Sequence, residues 1–152
     1  MRSKLALAAV VVAGAACSSD PEPPARPGTG ATAAREVSFR NDVLPILSRS
    51  CATAACHGTT ENNLGVHLPV ADPAAVLAEL ARESPTATGV KLVQPGDPKA
   101  SFFQAKVDGT QAEFESKCLL AGCGDSMPPG NMLDASERDV LRNWIAQGAK
   151  DN

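Results

Sequence analysis

The stretch Cys51-Ala52-Thr53-Ala54-Ala55-Cys56-His57-Gly58 decides how the rest of the chain is read. Two thiols a short turn apart can add to the two vinyl groups on one edge of a porphyrin. An imidazole directly after the second thiol then reaches the iron from one face. The usual spacing for this chemistry is C-x-x-C-H, whereas here four residues separate the cysteines. Small Ala and Thr side chains in the gap let the loop bulge outward while the last Cys-His step keeps its geometry. The stretch therefore reads as a haem attachment site with a widened gap.

Working outward toward the start, Arg2 and Lys4 precede the apolar run from Leu5 to Ala13, and Gly14-Ala15-Ala16 then leads to Cys17. This is the layout of a secretory signal, and the run is too short to be read first as a membrane span. The small residues before Cys17 resemble the lipobox of bacterial lipoproteins, in which that cysteine becomes the lipidated first residue. Gly14 stands where the pattern prefers Leu, so cleavage by the ordinary signal peptidase stays open, as does an ordinary buried or paired Cys17. Ser18, rather than Asp, argues against retention in the inner membrane. The expectation is export to the outer membrane, facing the periplasm or the cell surface.

Residues 1–16 are thus expected to be a signal peptide, and 17–35 a lipidated cysteine with a flexible tether. Pro21, Pro23, Pro24 and Pro27 there stand among Gly, Ser, Thr and Ala without a large apolar residue. With the signal removed, 12 of the 14 basic residues face 17 acidic ones, a net charge of −5. That balance argues against nucleic acid or an anionic membrane face as partner, leaving the lipid anchor as the only membrane contact. Five cysteines less Cys17 leave two pairs of equal spacing, Cys51/Cys56 and Cys118/Cys123.

Residues 36–152 form one domain of ordinary size with a modest core. Phe39, Val43, Leu44, Ile46 and Leu47 recur at helical spacing, and either Asn41 caps this helix or it begins at Ser38 and is kinked by Pro45. Val66 to Val70 reads as extended, with His67 opposite Leu68. Asp72-Pro73 caps a helix over 74–83 with Val76, Leu77 and Leu80 inward. Asp97-Pro98 starts another, through Phe102 and Phe103 to about Lys106, closed by Asp108-Gly109. Gln111 to Lys117 holds a helical turn at most. Asp134-Ala135-Ser136-Glu137 is a capping box, followed by the stripe Val140, Leu141, Trp144 and Ile145. The fold class is all-α, with four to five short helices and long loops.

A six-coordinate haem needs a second axial ligand, and a Met thioether is a common partner for His. Met1 is lost with the signal. Met127 stands in Ser126-Met127-Pro128-Pro129-Gly130, a backbone rigid enough to hold a weak ligand. Met132 reads as core packing, and His67 as a solvent-facing residue, although each is a candidate for the same position.

The elements Phe39-x-x-Asp42-Val43-x-Pro45-Ile46-Leu47, Cys51…Cys56-His57-Gly58, Pro95-Gly96-Asp97-Pro98-x-x-Ser101, Met127-Pro128-Pro129-Gly130 and Trp144-Ile145-x-x-Gly148-Ala149 together resemble the small class I-type c cytochrome domains of exported bacterial proteins. The resemblance covers nearly all of 36–152. It implies a cytochrome c-like fold around a single haem, with the first and last helices crossing near Phe39 and Trp144. Cys51 and Cys56 would be the thioether links, His57 the proximal ligand and Met127 the distal one. The implied function is electron transfer to redox protein partners, without catalysis.

Cys118-x4-Cys123-Gly124 has no histidine, and a disulfide tying the loop just before Met127 is its economical reading in an oxidising compartment. An apolar pocket from Leu44, Leu47, Leu64, Leu68, Leu141 and Ile145 is expected to favour the reduced iron. A competing class is a cofactor-free, disulfide-stapled lipoprotein module, structural or binding, in which both cysteine pairs brace loops. Zinc held by the four cysteines, or a thiol redox enzyme, completes the set. Zinc pairs usually show tighter C-x-x-C spacing, and free thiolates are disfavoured outside the cytoplasm.

Overall fold

The computed structural model describes residues 35–61 and 64–152, so the expected signal peptide, Cys17 and the tether through residue 34 lie outside the described residues. Among the described residues the protein is helical and has no strand. A π-helical turn Phe39–Val43 runs into α1 (Leu44–Ser50), followed by α2 (Pro73–Leu80) and α3 (Phe102–Asp108). Two 3-10 segments, Gln111–Lys117 and Ala121–Cys123, precede α4 (Ala135–Ala146). Two isolated antiparallel bridges, Glu83 with Lys91 and Ala87 with Cys118, tie the loops together.

The first helical segment starts at Ser38 and not at Asn41. Ser38 Oγ accepts the Asn41 N–H at 3.1 Å, and the Asp42 carboxylate reaches back to the Ser38 N–H at 2.8 Å. This reciprocal cap satisfies two orphan donors of the first turn. Pro45 then follows a wide turn in which the Val43 N–H reaches the Ser38 carbonyl at 3.2 Å. Loosening the turn before the proline avoids the kink that a tight α-helical start would suffer there.

At α4 the expected capping box is not made. Asp134 occupies the N-cap position without a side-chain hydrogen bond, and the Glu137 carboxylate, which would reach back in a capping box, pairs with Arg49 of α1. α2 ends at Leu80, short of the expected residue 83. After Leu80 the chain tightens, the Arg82 N–H closing on the Glu79 carbonyl at 3.1 Å, and the Leu80 and Arg82 carbonyls accept from Val93 and Leu92 at 2.8 Å each. α3 begins at Phe102 and not just after Pro98. Asp97 Oδ1 accepts the Ala100 N–H in a separate turn, and the buried Ser101 Oγ bonds back to the Asp97 carbonyl at 2.8 Å. The end of α3 is as expected, with Gly109 at φ 72°, a left-handed conformation that favours glycine.

The core forms where the helical segment from Phe39 meets α4. Phe39 stacks on Trp144 with ring centroids 5.4 Å apart, both rings fully buried with Val43, Leu47, Val76, Leu141 and Ile145. The last residues strap this crossing. Asn152 accepts from the Arg40 and Phe39 backbone, the Trp144 indole N–H donates to the Lys150 carbonyl, and Gln147 accepts the Val37 N–H. Arg142 clasps Asp108 through both carboxylate oxygens at 2.8 and 2.9 Å, joining α4 to α3. A second, smaller cluster gathers Ala87, Val90, Leu92, Phe102 and Cys123, with Phe114 edge-on to Phe102.

Replacing Trp144 with Ala removes the largest fully buried side chain. The expected cost is about 3 to 5 kcal/mol in urea unfolding; a loss under about 1 kcal/mol would show that the crossing is not the centre of the core.

Candidate cofactor site

α1 ends by delivering Cys51, whose N–H bonds to the Leu47 carbonyl at 2.9 Å and whose side chain is buried. The chain then bulges: Thr53, Ala54 and Ala55 are exposed, as the small side chains of the gap led one to expect. The bulge is closed by three backbone bonds. Cys56 and Gly58 both donate to the Thr53 carbonyl at 2.9 Å, and the His57 N–H returns to the Cys51 carbonyl at 3.0 Å. Gly58 is required for this closure. A Cβ there would stand 2.5 Å from the Ala52 oxygen and 2.8 Å from the Thr53 oxygen, both rigid backbone atoms.

The His57 ring is oriented by one bond, Nδ1 to the Val66 carbonyl at 3.0 Å. A carbonyl can only accept, so Nδ1 carries a hydrogen, and in the neutral imidazole the lone pair is then on Nε2. That is the tautomer of an imidazole ready to ligate a metal, with the second partner fixing its plane. Leu68 donates to the His57 carbonyl at 2.8 Å, so the extended segment after Gly65 holds both the ring and the backbone of this residue.

His57, Cys51 and Met127 all line one cleft of about 260 Å³, whose surface is overwhelmingly apolar. It lies at the seam of the two clusters, with Leu68, Leu80 and Val107 from the larger and Leu92, Phe102 and Cys123 from the smaller. Met127 arrives on the loop after the 3-10 turn, its N–H bonded to the Lys106 carbonyl at 2.8 Å. Cys118 and Cys123 form a disulfide directly ahead of that loop, with Cys123 buried against the cleft. Cys51 and Cys56 are free thiols, and Cys56, half-buried, is not part of the cleft wall.

Several expectations are corrected. Of the apolar pocket residues, only Leu64 and Leu68 line the cleft; Leu47, Leu141 and Ile145 are consumed by the helix crossing, and Leu44 packs against it. Met132 is 50 % exposed and is neither core nor cleft. His67 is half-buried, its N–H bonded to Glu79, and stands off the cleft wall. Four cysteines cannot share a zinc ion when two are disulfide-bonded. Among the described residues no group of three or more His, Cys, Asp or Glu is placed to hold a metal. The residues missed by sequence reading are those of α3, Phe102, Phe103, Lys106 and Val107. Their i, i+4 spacing was legible, but the surface they face was not.

The donor set fits a haem: an imidazole whose Nδ1 is held by a carbonyl, a thioether and a thiol around an apolar cleft, with a second thiol one loop away. No helix among the described residues is long and apolar enough to cross a membrane. No protein-family model, curated protein or solved structure matches the chain.

Burial pushes the Cys51 thiol up from the ordinary 9.0 to about 11, with Cys56 and Glu137 adding to the effect. Its thiolate fraction near neutral pH is then about a hundredfold below that of an ordinary thiol. In the haem-free protein iodoacetamide should label Cys51 about a hundredfold more slowly than in the urea-unfolded chain, and equal rates would contradict the burial. Because the folded pKa is the higher one, this thiol's contribution to stability is complete below pH 9. It is lost as pH rises toward 11, by on the order of 2 kcal/mol.

Proposed function

We propose that the domain is a one-electron carrier holding a single covalent haem c in this cleft. Cys51 and Cys56 are its thioether anchors, His57 the proximal ligand and Met127 the distal ligand. The observation that carries the reading is the convergence of His57, with Nε2 left free by the Val66 carbonyl, and Met127 on one apolar cleft beside Cys51. The bound group would supply reversible one-electron redox chemistry at its iron, with thioether ligation raising the potential.

The chain's own residues account for the rest. Val66 fixes the imidazole plane and tautomer, so the proximal ligand needs no reorganisation between redox states. The apolar wall from Leu68, Leu80, Leu92 and Val107 disfavours the extra positive charge of the oxidised form, which again favours reduction. Phe102 and Phe103 add aromatic surface to the lining of the same cleft. The crossing of the Phe39 and Trp144 segments, with the Met127 loop just before α4, supports the cytochrome c-like fold that the resemblance implies. We further propose export and lipidation at Cys17, so that a tether of about 18 residues presents the domain to redox protein partners at the outer membrane. The domain is read as a carrier and not an enzyme.

Expression with the c-type maturation machinery tests this. The expected product is red, with haem that stays attached after denaturation and on replacement of Met127 with Ala. That variant should lose the sulfur-to-iron absorption at the far-red end of the spectrum and show a lower reduction potential. A colourless protein carrying disulfides at both Cys51–Cys56 and Cys118–Cys123 would defeat the haem reading in favour of a stapled module.

A further inference from the structure

The loop that carries Met127 is held at both ends by one residue of α3. The Lys106 carbonyl accepts the Met127 N–H at 2.8 Å, and the Lys106 ammonium donates to the Cys123 carbonyl at 2.8 Å. Only Gly124, Asp125 and Ser126 lie between these points. Gln111 adds a third hold, Nε2 to the Gly124 carbonyl at 3.1 Å. The disulfide fastens Cys123 to Cys118, which is itself bridged to Ala87.

A lysine ammonium is an expensive group to spend on such a contact. Left alone it would extend into water, trailing its methylenes over the surface. Instead Lys106 lines the apolar cleft, the only Lys or Arg on its wall among the described residues, with Nζ 5.6 Å from the centre of the Phe102 ring. Burial lowers its pKa, and Asp125 opposes that only in part. The ammonium is retained at the wall by a directed bond to a backbone carbonyl, with the Phe102 ring face alongside it.

We propose that Lys106 is a positioning residue for the distal ligand, clamping the segment from Cys123 to Met127 so that the thioether is presented to the cleft. This rests on the haem reading above. A thioether is a weak ligand, and its bond to iron does not by itself hold a mobile loop in place. The backbone contact at Met127 fixes the last residue of the segment, and the ammonium fixes the first. Removing the ammonium leaves the backbone contact in place, so the two holds are separable by mutation.

The test uses haem-loaded protein with Lys106→Met and Lys106→Gln, which remove the charge, and Lys106→Arg, which keeps it. The measured signals are covalent haem content and the far-red sulfur-to-iron absorption. Exchange of the Trp144 indole N–H serves as a check that the core is intact. The expected result is wild-type haem content and indole exchange in all variants. The absorption should fall at least tenfold in Lys106→Met and Lys106→Gln and recover most of its strength in Lys106→Arg. Full absorption in either neutral variant would overturn the positioning role while leaving the haem reading intact. A colourless wild-type protein would instead defeat the haem reading, and this proposal with it.

Discussion

Phe39 and Trp144 stack where the first and last helical segments cross, and the direction in which α1 leaves that contact determines where Cys51 stands. Five fully buried aliphatic side chains surround the two rings, and the final residues strap them through Asn152, Lys150 and Gln147. A 12-residue α4 and a 7-residue α1 would be marginal in isolation, so their positions come from packing and not from propensity. The Arg49 to Glu137 pair lies across the same crossing, and Glu137 is close enough to raise the Cys51 pKa. The core and the cleft are thus mechanically continuous through α1.

What could be read from the sequence follows from how local each signal is. The Asp72-Pro73 cap, the glycine stop after Asp108 and the Val140/Leu141/Trp144/Ile145 stripe depend on neighbours within a turn, and all three are found in the structure, with Val140 only partly buried. The Phe39 to Trp144 contact came through resemblance, since nothing in periodicity alone joins positions 105 residues apart. The failures are non-local competitions. Glu137 pairs with Arg49 instead of its own helix cap, and beyond Leu80 the chain leaves the helix for a turn tied to Leu92 and Val93. At the site, residues 51–58 and 127 stood out in the sequence, and Cys51, His57 and Met127 line one cleft. The wall contributed by α3 did not, because apolar positions do not state whether they face a core or a cleft.

The seam between the two apolar clusters explains why a cleft exists at all. A chain with few aromatics and short helices builds a main core at the crossing and a satellite around Phe102, Leu92 and Cys123. Leu64, Leu119 and Leu120 remain exposed, with Leu64 and Leu120 on the cleft itself. Apolar surface of both clusters is thus left facing one shared cleft instead of one continuous core.

The two cysteine pairs share one spacing and differ in fate, and the local backbone accounts for the difference. Cys118 is extended at φ −82°, and the chain turns back through Gly122 and Cys123, both at positive φ, to bring the two Cα atoms within 5.2 Å. Cys51 is instead the cap of a helix, its N–H committed to Leu47 and its carbonyl to His57. Disulfide formation proceeds through a thiolate, and burial holds Cys51 in the thiol form across the neutral range. The bulge that closes on Gly58 keeps Cys56 in the loop while His57 turns into the cleft. Equal spacing therefore carries no equal chemistry: the histidine, the glycine after it and the helix before it set the first pair apart, whereas the second pair is a brace for the Met127 loop.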